Sequence, residues 1–214
     1  QLNCAENTHG IKLKSPPHSA SASYTLTFPN NDGDANQVLT TNGSGVLSFA
    51  TPASGGLSVA NQWRYTGGAS LGAGSEVIIT SDIEEVTVND TAGQGKIGTS
   101  MSVSSGVFTF PSTGVYLVQF NSNHYSGSSP RYIVSRIQVT TNNSGFTTIA
   151  EAYSHVNHIS SATYSSNHVQ SLIDVTNTSN VKVKFSLVAV ADSTLQGGSS
   201  ENRTYFTFLR LGDT

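Results

Sequence analysis

Gly106-Val107-Phe108-Thr109-Phe110-Pro111-Ser112-Thr113-Gly114-Val115-Tyr116-Leu117-Val118-Gln119-Phe120 reads as two alternating apolar runs joined by a Pro-x-x-Gly bend. Phe108 and Phe110 share one face of the first run, and Pro111, which cannot donate to a ladder, stops it. Gly114 restarts the pattern with Tyr116, Val118 and Phe120 on one face, so the stretch predicts two sheet strands around a tight turn. Working outward, period-2 runs recur from residue 57 to the end: Val59–Tyr65, Val77–Thr80, Ile83–Val88, Lys96–Val103, Val107–Phe110, Val115–Tyr125, Arg131–Thr140, Thr147–His155, Thr163–Val175, Val181–Val190 and Arg203–Leu211. Ten or eleven short strands with no convincing helix predict an all-β sandwich of jelly-roll type.

In the run from Val181, residues Val183, Phe185, Leu187 and Ala189 share one parity against Lys182, Lys184 and Ser186, giving one dry and one wet face. The wet face turns apolar at Val188 and Val190, which points either to a second face covered by association or to a locally covered strand end.

Residues 1–56 have a different character. Ile11 with Leu13, and Tyr24 with Leu26 and Phe28, are strand-like alternations separated by Ser15-Pro16-Pro17, Pro29-Asn30-Asn31-Asp32-Gly33 and Asn42-Gly43-Ser44-Gly45. So few large apolar side chains bury little area, and a piece this small is expected to fold only by wrapping identical neighbours. Thr51-Pro52-Ala53-Ser54-Gly55-Gly56 reads as a linker. The expected organisation is therefore a β-rich shaft and linker over 1–56 and a jelly roll over 57–214. Because residue 1 is Gln, the chain is expected to be the C-terminal piece of something longer.

Charged residues make up only 11% of the 214, with a formal net charge of −3, and Ser, Thr, Asn and Gly occupy the polar faces instead. No basic patch larger than a Lys pair exists, which argues against nucleic acid, and no apolar run approaches the ~18 residues of a membrane-crossing helix. Cys4 stands alone, so no disulfide can form within the chain.

Candidate chemistry is sparse. Gly68-Ala69-Ser70-Leu71-Gly72 fits a nucleophile elbow in letters, but Ala73-Gly74-Ser75 follows where a helix must begin. Gly93-Gln94-Gly95-Lys96-Ile97-Gly98 fits a dinucleotide loop but precedes a strand-like run. Asn30, Asp32, Asp34 and Asn36 alternate oxygen donors as a calcium loop does, without its glycine or closing glutamate. His124, His155, His158 and His168 could meet symmetry mates around a metal, or be ordinary surface or hydrogen-bonded histidines. No cofactor or metal is expected. Glu84 and Glu85 are adjacent and point to opposite strand faces, unlike the facing carboxylates of a glycosidase, so no enzymatic activity is expected.

Phe108-x-Phe110-Pro111-x-x-Gly114-x-Tyr116 and the closing run Thr204-Tyr205-Phe206-Thr207-Phe208-Leu209-Arg210-Leu211 resemble the jelly roll of complement globular heads and tumour-necrosis-factor-like ligands. Separately, Gly10 to His18, Tyr24 to Pro29, Gln37 to Gly45 and the ending Leu209 to Thr214 resemble fibre-type virion proteins of marine bacteriophages, especially those of cyanobacteria. Both resemblances imply a homotrimer without catalysis. The second implies a virion component, assembled in the host cytoplasm and joined to other virion proteins through its N-terminal side. On this reading the chain is the C-terminal part of a tail fibre engaging a host surface glycan or protein; a trimerisation clamp, a capsid decoration or a polysaccharide depolymerase are the rivals.

If the chain enters and leaves the sandwich at its base, alternate loops gather at the far tip. They bring candidate receptor-binding residues Tyr125, Arg131, His155, Asn157, His158, Tyr164, Gln196 and Asn202, a mix of aromatic faces, amides and hydroxyls. Trp63, Tyr153, Val188 and Val190 are candidates for the trimer interface, with an ordinary core role as the alternative.

Overall fold

The computed structural model describes residues 2–3, 10–11, 14–52, 56–72, 74–86, 94–127, 132–157 and 163–214. The chain divides into two compact units, Gln1–Gly55 and Gly56–Thr214.

In the first unit, β1 (Leu2–Asn3) pairs with β2 (Gly10–Ile11), and β3 (Val38–Thr41) pairs with β4 (Leu47–Ala50) in a hairpin. The hairpin turn uses the predicted Asn42-Gly43-Ser44-Gly45. Asn42 Oδ1 accepts from the Ser44 and Val46 amides, and both glycines have positive φ. The expected strand over Tyr24–Phe28 reduces to a single bridge between Thr27 and Val46. Its alternating face finds nothing to pack on: Tyr24, Leu26 and Phe28 are 65, 45 and 57% exposed. No described side chain from 14 to 52 is buried within the single chain.

The second unit is a two-sheet sandwich. Its strands are β5 (Ala60–Tyr65), β6 (Gly68–Leu71), β7 (Glu76–Ile78), β8 (Ile83–Glu85), β9 (Ser102–Ser104), β10 (Val107–Thr109), β11 (Gly114–Ser126), β12 (Ile133–Thr140), β13 (Thr147–Ser154), β14 (Thr163–Val175), β15 (Lys182–Ala189), β16 (Ser193–Gln196) and β17 (Tyr205–Gly212). One sheet runs β13-β12-β15-β10-β9, with β7 also on β15. The other is built on β11, flanked by β14 on one side and by β17 and β16 on the other, continuing from β17 to β5 and β8 and from β16 to β6. Every pairing between these strands is antiparallel.

The Pro-x-x-Gly bend behaves as its sequence predicts, with Pro111 just outside the ladder and Gly114 at φ 137 where the chain turns back. Three expectations shift. Of the run Lys96–Val103 only Ser102 and Val103 lie in a strand, β9; Ile97 makes one bridge, to Ala60, and Gly98 has positive φ. Two strands, β6 and β16, lie in stretches read as irregular, and Gln196 consequently sits on a strand rather than in a loop. Gly93 falls outside the described residues.

Rings fill the base half of the interior. Phe108 lies 5.0–5.6 Å from Trp63, Phe185, Phe206 and Phe208, and Phe110 lies 4.7 Å from Tyr116. Burial of several fully enclosed rings supplies the main driving force for the sandwich. Phe110 is 2% exposed, and Phe110→Ala is expected to cost about 3–5 kcal/mol. A chemical-denaturation midpoint equal to that of the unsubstituted protein contradicts this placement.

Candidate functional site

The register fixes which end is which. Ala60 faces Leu209 at the end where the unit begins and finishes, whereas Ser126 faces Thr163 at the opposite end. Along β11 the inward side chains change midway: Tyr116, Val118 and Phe120 give way to Ser122, His124 and Ser126, all buried. The rings lie in the base half of the interior, whereas in the tip half Ser122, His124 and Ser126 are buried beside the aliphatic Leu71, Ile133, Ala189 and Leu195.

The polar groups of the tip half are tied together across the sheets. Ser122 Oγ shares hydrogen bonds with His124 Nε2 (2.9 Å) and Ser135 Oγ (2.6 Å), while Asn167 Nδ2 donates to Ser135 Oγ, Ile133 O and Ala152 O. Asn167 thereby closes the edge of the sandwich by joining β14 to β12 and β13. His124 is fully buried and its Nδ1 has no partner; burial pulls its imidazole down to about 4.

On the outward face of the β11 sheet, cross-strand rows change character from base to tip. Beyond the base-most row of Asp174, Val115 and Gly212, Leu172, Leu117 and Leu209 form one row, and Gln170, Gln119, Thr207 and Gln62 the next. Gln119 donates to Gln170, Gln62 to Thr207, and Asn202 to Gln62. At the tip the row is Tyr164, Tyr125, Thr194 and Ser70, with the two tyrosine rings 5.5 Å apart. Above it lies a pocket of about 400 Å³ lined by Ser70, Leu71, Gly72, Tyr125, Ser126, Gly127, Asp192, Ser193 and Thr194. Ser126 Oγ donates to the Asp192 carbonyl, which fixes the chain at the pocket edge.

The sequence-derived candidates separate on this frame. Tyr125 and Tyr164 come together, and Asn202 joins the amide row three steps toward the base. Gln196 lies on β16 opposite Gly68. His155 and Asn157 are exposed just after β13, at the edge of the other sheet. Arg131 and His158 lie outside the described residues. His124 points inward and His168 outward, so these two do not share a metal site. Among the described residues no three His, Cys, Asp or Glu side chains cluster.

The interface candidates separate too. Trp63 belongs to the interior, edge-on to Phe108, because its parity on β5 faces Phe206. Tyr153 and Val188 share an outward row of the opposite sheet with Val134 between them, Tyr153 being 61% exposed. Val188 itself is half-buried, with Val134 and Glu76 as its cross-strand neighbours. Val190 follows, its amide donating to Tyr132 O. Glu84 pairs with Arg64 (2.6 Å), and Glu85 with Lys96 (3.1 Å) and Ser100 (2.5 Å), so the two carboxylates have separate partners.

Sequence reasoning missed Ser70, Thr194 and Asp192. The alternation of Ala69 and Leu71 against Ser70, and of Leu195 against Thr194, was the available signal, obscured by the surrounding Gly and Ser.

Among solved structures the chain is similar to murine APRIL, at 9% identity and TM-score 0.50, with 72% of this chain and 98% of that one covered. The fold is a tumour-necrosis-factor-like jelly roll. Eiger TNF from S. frugiperda is also similar, at 12% identity and TM-score 0.49 over 74% of this chain and 96% of that one. No protein-family model and no curated protein sequence matches the chain.

Because His124 is held neutral inside the sandwich but titrates near 6.5 when unfolded, its contribution is intact above pH 6.5 and is lost as the pH falls toward about 4. The loss amounts to about 3 kcal/mol. Urea midpoints measured between those pH values should fall less steeply for His124→Gln than for the unsubstituted protein; parallel curves contradict the assignment.

Proposed function

We propose that this chain is the C-terminal part of a non-enzymatic, homotrimeric bacteriophage fibre whose jelly-roll tip engages a component of the host cell surface. The observation that carries the reading is the absence of any buried side chain among residues 14–52, where Val38, Leu39 and Val46, like Leu26, are 45–46% exposed. A two-stranded hairpin with exposed apolar faces is not stable alone, and winding three copies together supplies the missing interior. The fibre-like sequence motifs of this segment support a virion role, with the N-terminal side joined to other virion proteins.

The second unit carries a surface suited to the same association. The outward residues of β11 and β17, including Val115, Leu117, Gln119, Asn121, Asn123, Tyr205, Thr207, Leu209 and Leu211, are all uncharged. Leu172 and Leu211 are 61 and 52% exposed beside them. A sheet face with an apolar row and an amide row, free of charge on its central strands, has the composition of an interface core. We assign it to contact between copies in preference to the face bearing Tyr153 and Val188. The row of Tyr164, Tyr125, Thr194 and Ser70 continues this face one step beyond Asn123, at its far edge, and attachment is assigned to that end.

Light scattering on the intact chain should give the mass of three copies, and the double variant Leu172→Asp, Leu211→Asp should lower it to one or two, because burying unpaired carboxylates is costly. A monomer before substitution rejects the trimer; a trimer that survives both substitutions rejects this face. Labelled protein should adhere to cells in a panel of marine cyanobacterial strains, and adherence to none of them favours a clamp or decoration role.

A further inference from the structure

We propose that the row of Gln170, Gln119, Thr207 and Gln62 fixes the height and direction at which a second copy of this chain docks, an inference that rests on the reading of this face as the contact between copies. The row crosses four neighbouring strands, β14, β11, β17 and β5, and every side chain in it is polar and uncharged.

The row does not satisfy itself. Gln119 Nε2 donates to Gln170 Oε1 at 3.0 Å, and Gln62 Nε2 donates to Thr207 Oγ1 at 3.2 Å. Gln119 and Gln170 have four side-chain N–H groups between them, and their mutual hydrogen bond uses one. The Gln119 carbonyl and the Gln170 amino group have no partner among the described residues. Gln119 is half-buried and Gln170 exposed, so water meets these groups in the separate chain. Once a neighbour covers the face, each unmet group costs its desolvation unless that neighbour offers a donor or an acceptor at the same level.

A second copy offers both. Rows along a strand are two residues, about 7 Å, apart. Toward the base from the amide row stand Leu172, Leu117 and Leu209, and the apolar level runs on through Ala60 to its bridge partner Ile97, which is 49% exposed. Toward the tip stand His168, Asn121 and Tyr205, then Ser166 and Asn123. Copies pointing the same way at the same height bring leucine onto leucine and amide onto amide. A copy shifted by one row sets amides against leucines. A copy turned end over end about the amide row sets Leu117 against Asn121 and Val115 against Asn123. Both alternatives bury polar groups against apolar ones, so the row discriminates against them as one polar residue in an apolar seam fixes the register of a coiled coil.

The same chemistry disfavours other occupants. An apolar partner strands the amides, and a charged partner finds no countercharge among the outward residues of β11 and β17.

The test uses the intact chain and charge pairs, read by light scattering and sedimentation at neutral pH. Gln119→Glu and Gln119→Lys should each weaken association about tenfold or more, because every copy then buries an unpaired charge. Mixing the Gln119→Glu chain with a chain carrying a lysine in the same row, Gln119→Lys or Gln170→Lys, should recover assemblies of the parental mass. Mixing it with Asn123→Lys, two rows or about 13 Å toward the tip, should not. Gln170 is exposed on the edge strand β14, so Gln170→Glu replaces Gln119→Glu if that chain loses the parental circular-dichroism spectrum. Parental mass for both single variants, no recovery with either same-row lysine, or equal recovery with Asn123→Lys each overturns the inference while leaving the trimer. A monomeric parent removes the trimer and this inference together.

Discussion

The structure depends on the interlocking of rings from two sheets in the base half of the sandwich. Phe108 of one sheet touches Phe206 and Phe208 of the other, while Phe120 stacks on Phe206 at 5.2 Å and lies 5.1 Å from Phe185. A one-residue slip of β11 or β17 would turn these rings to the outside, so the cluster sets register as well as stability. Thirteen consecutive pairs between β11 and β14 then carry that register from base to tip. The tip half can do without rings of its own because its alignment is inherited.

That division explains the polar interior above Phe120. Ser122, His124, Ser135 and Asn167 bury hydrogen-bonding groups in place of apolar area, and such a layer contributes less net stability than rings of equal volume. What it contributes is a directed link between sheets at the edge where β13 passes to β14. Aromatic packing at one end and polar fastening at the other leave the tip free to hold the tyrosine and hydroxyl row.

Legibility in the sequence followed the same gradient. The bend at Pro111, the long alternations of β11, β14 and β15 and the closing β17 were readable because large apolar residues recur at period 2. β6 and β16 were not, since Gly68-Ala69-Ser70-Leu71 and Ser193-Thr194-Leu195-Gln196 each carry too few large side chains to distinguish a strand from a loop. Of the tip site, Tyr125 and Tyr164 could be named in advance. Ser70, Thr194 and Asp192 could not, because only a non-local pairing of β6 with β16 and of β16 with β11 brings them together. Trp63 was ambiguous for a related reason: both faces of β5 carry large residues, and parity alone does not say which faces the core.

The location of Ala60 and Leu209 at one end has a mechanical corollary. When the upstream chain is anchored and the tip is held, tension enters at the first residue of β5 and runs along that strand toward the far end. Its hydrogen bonds to β17 lie across the line of pull, so they are loaded in shear, all at once, instead of being unzipped singly. The geometry suits a module that must stay folded while drag acts on whatever hangs from it.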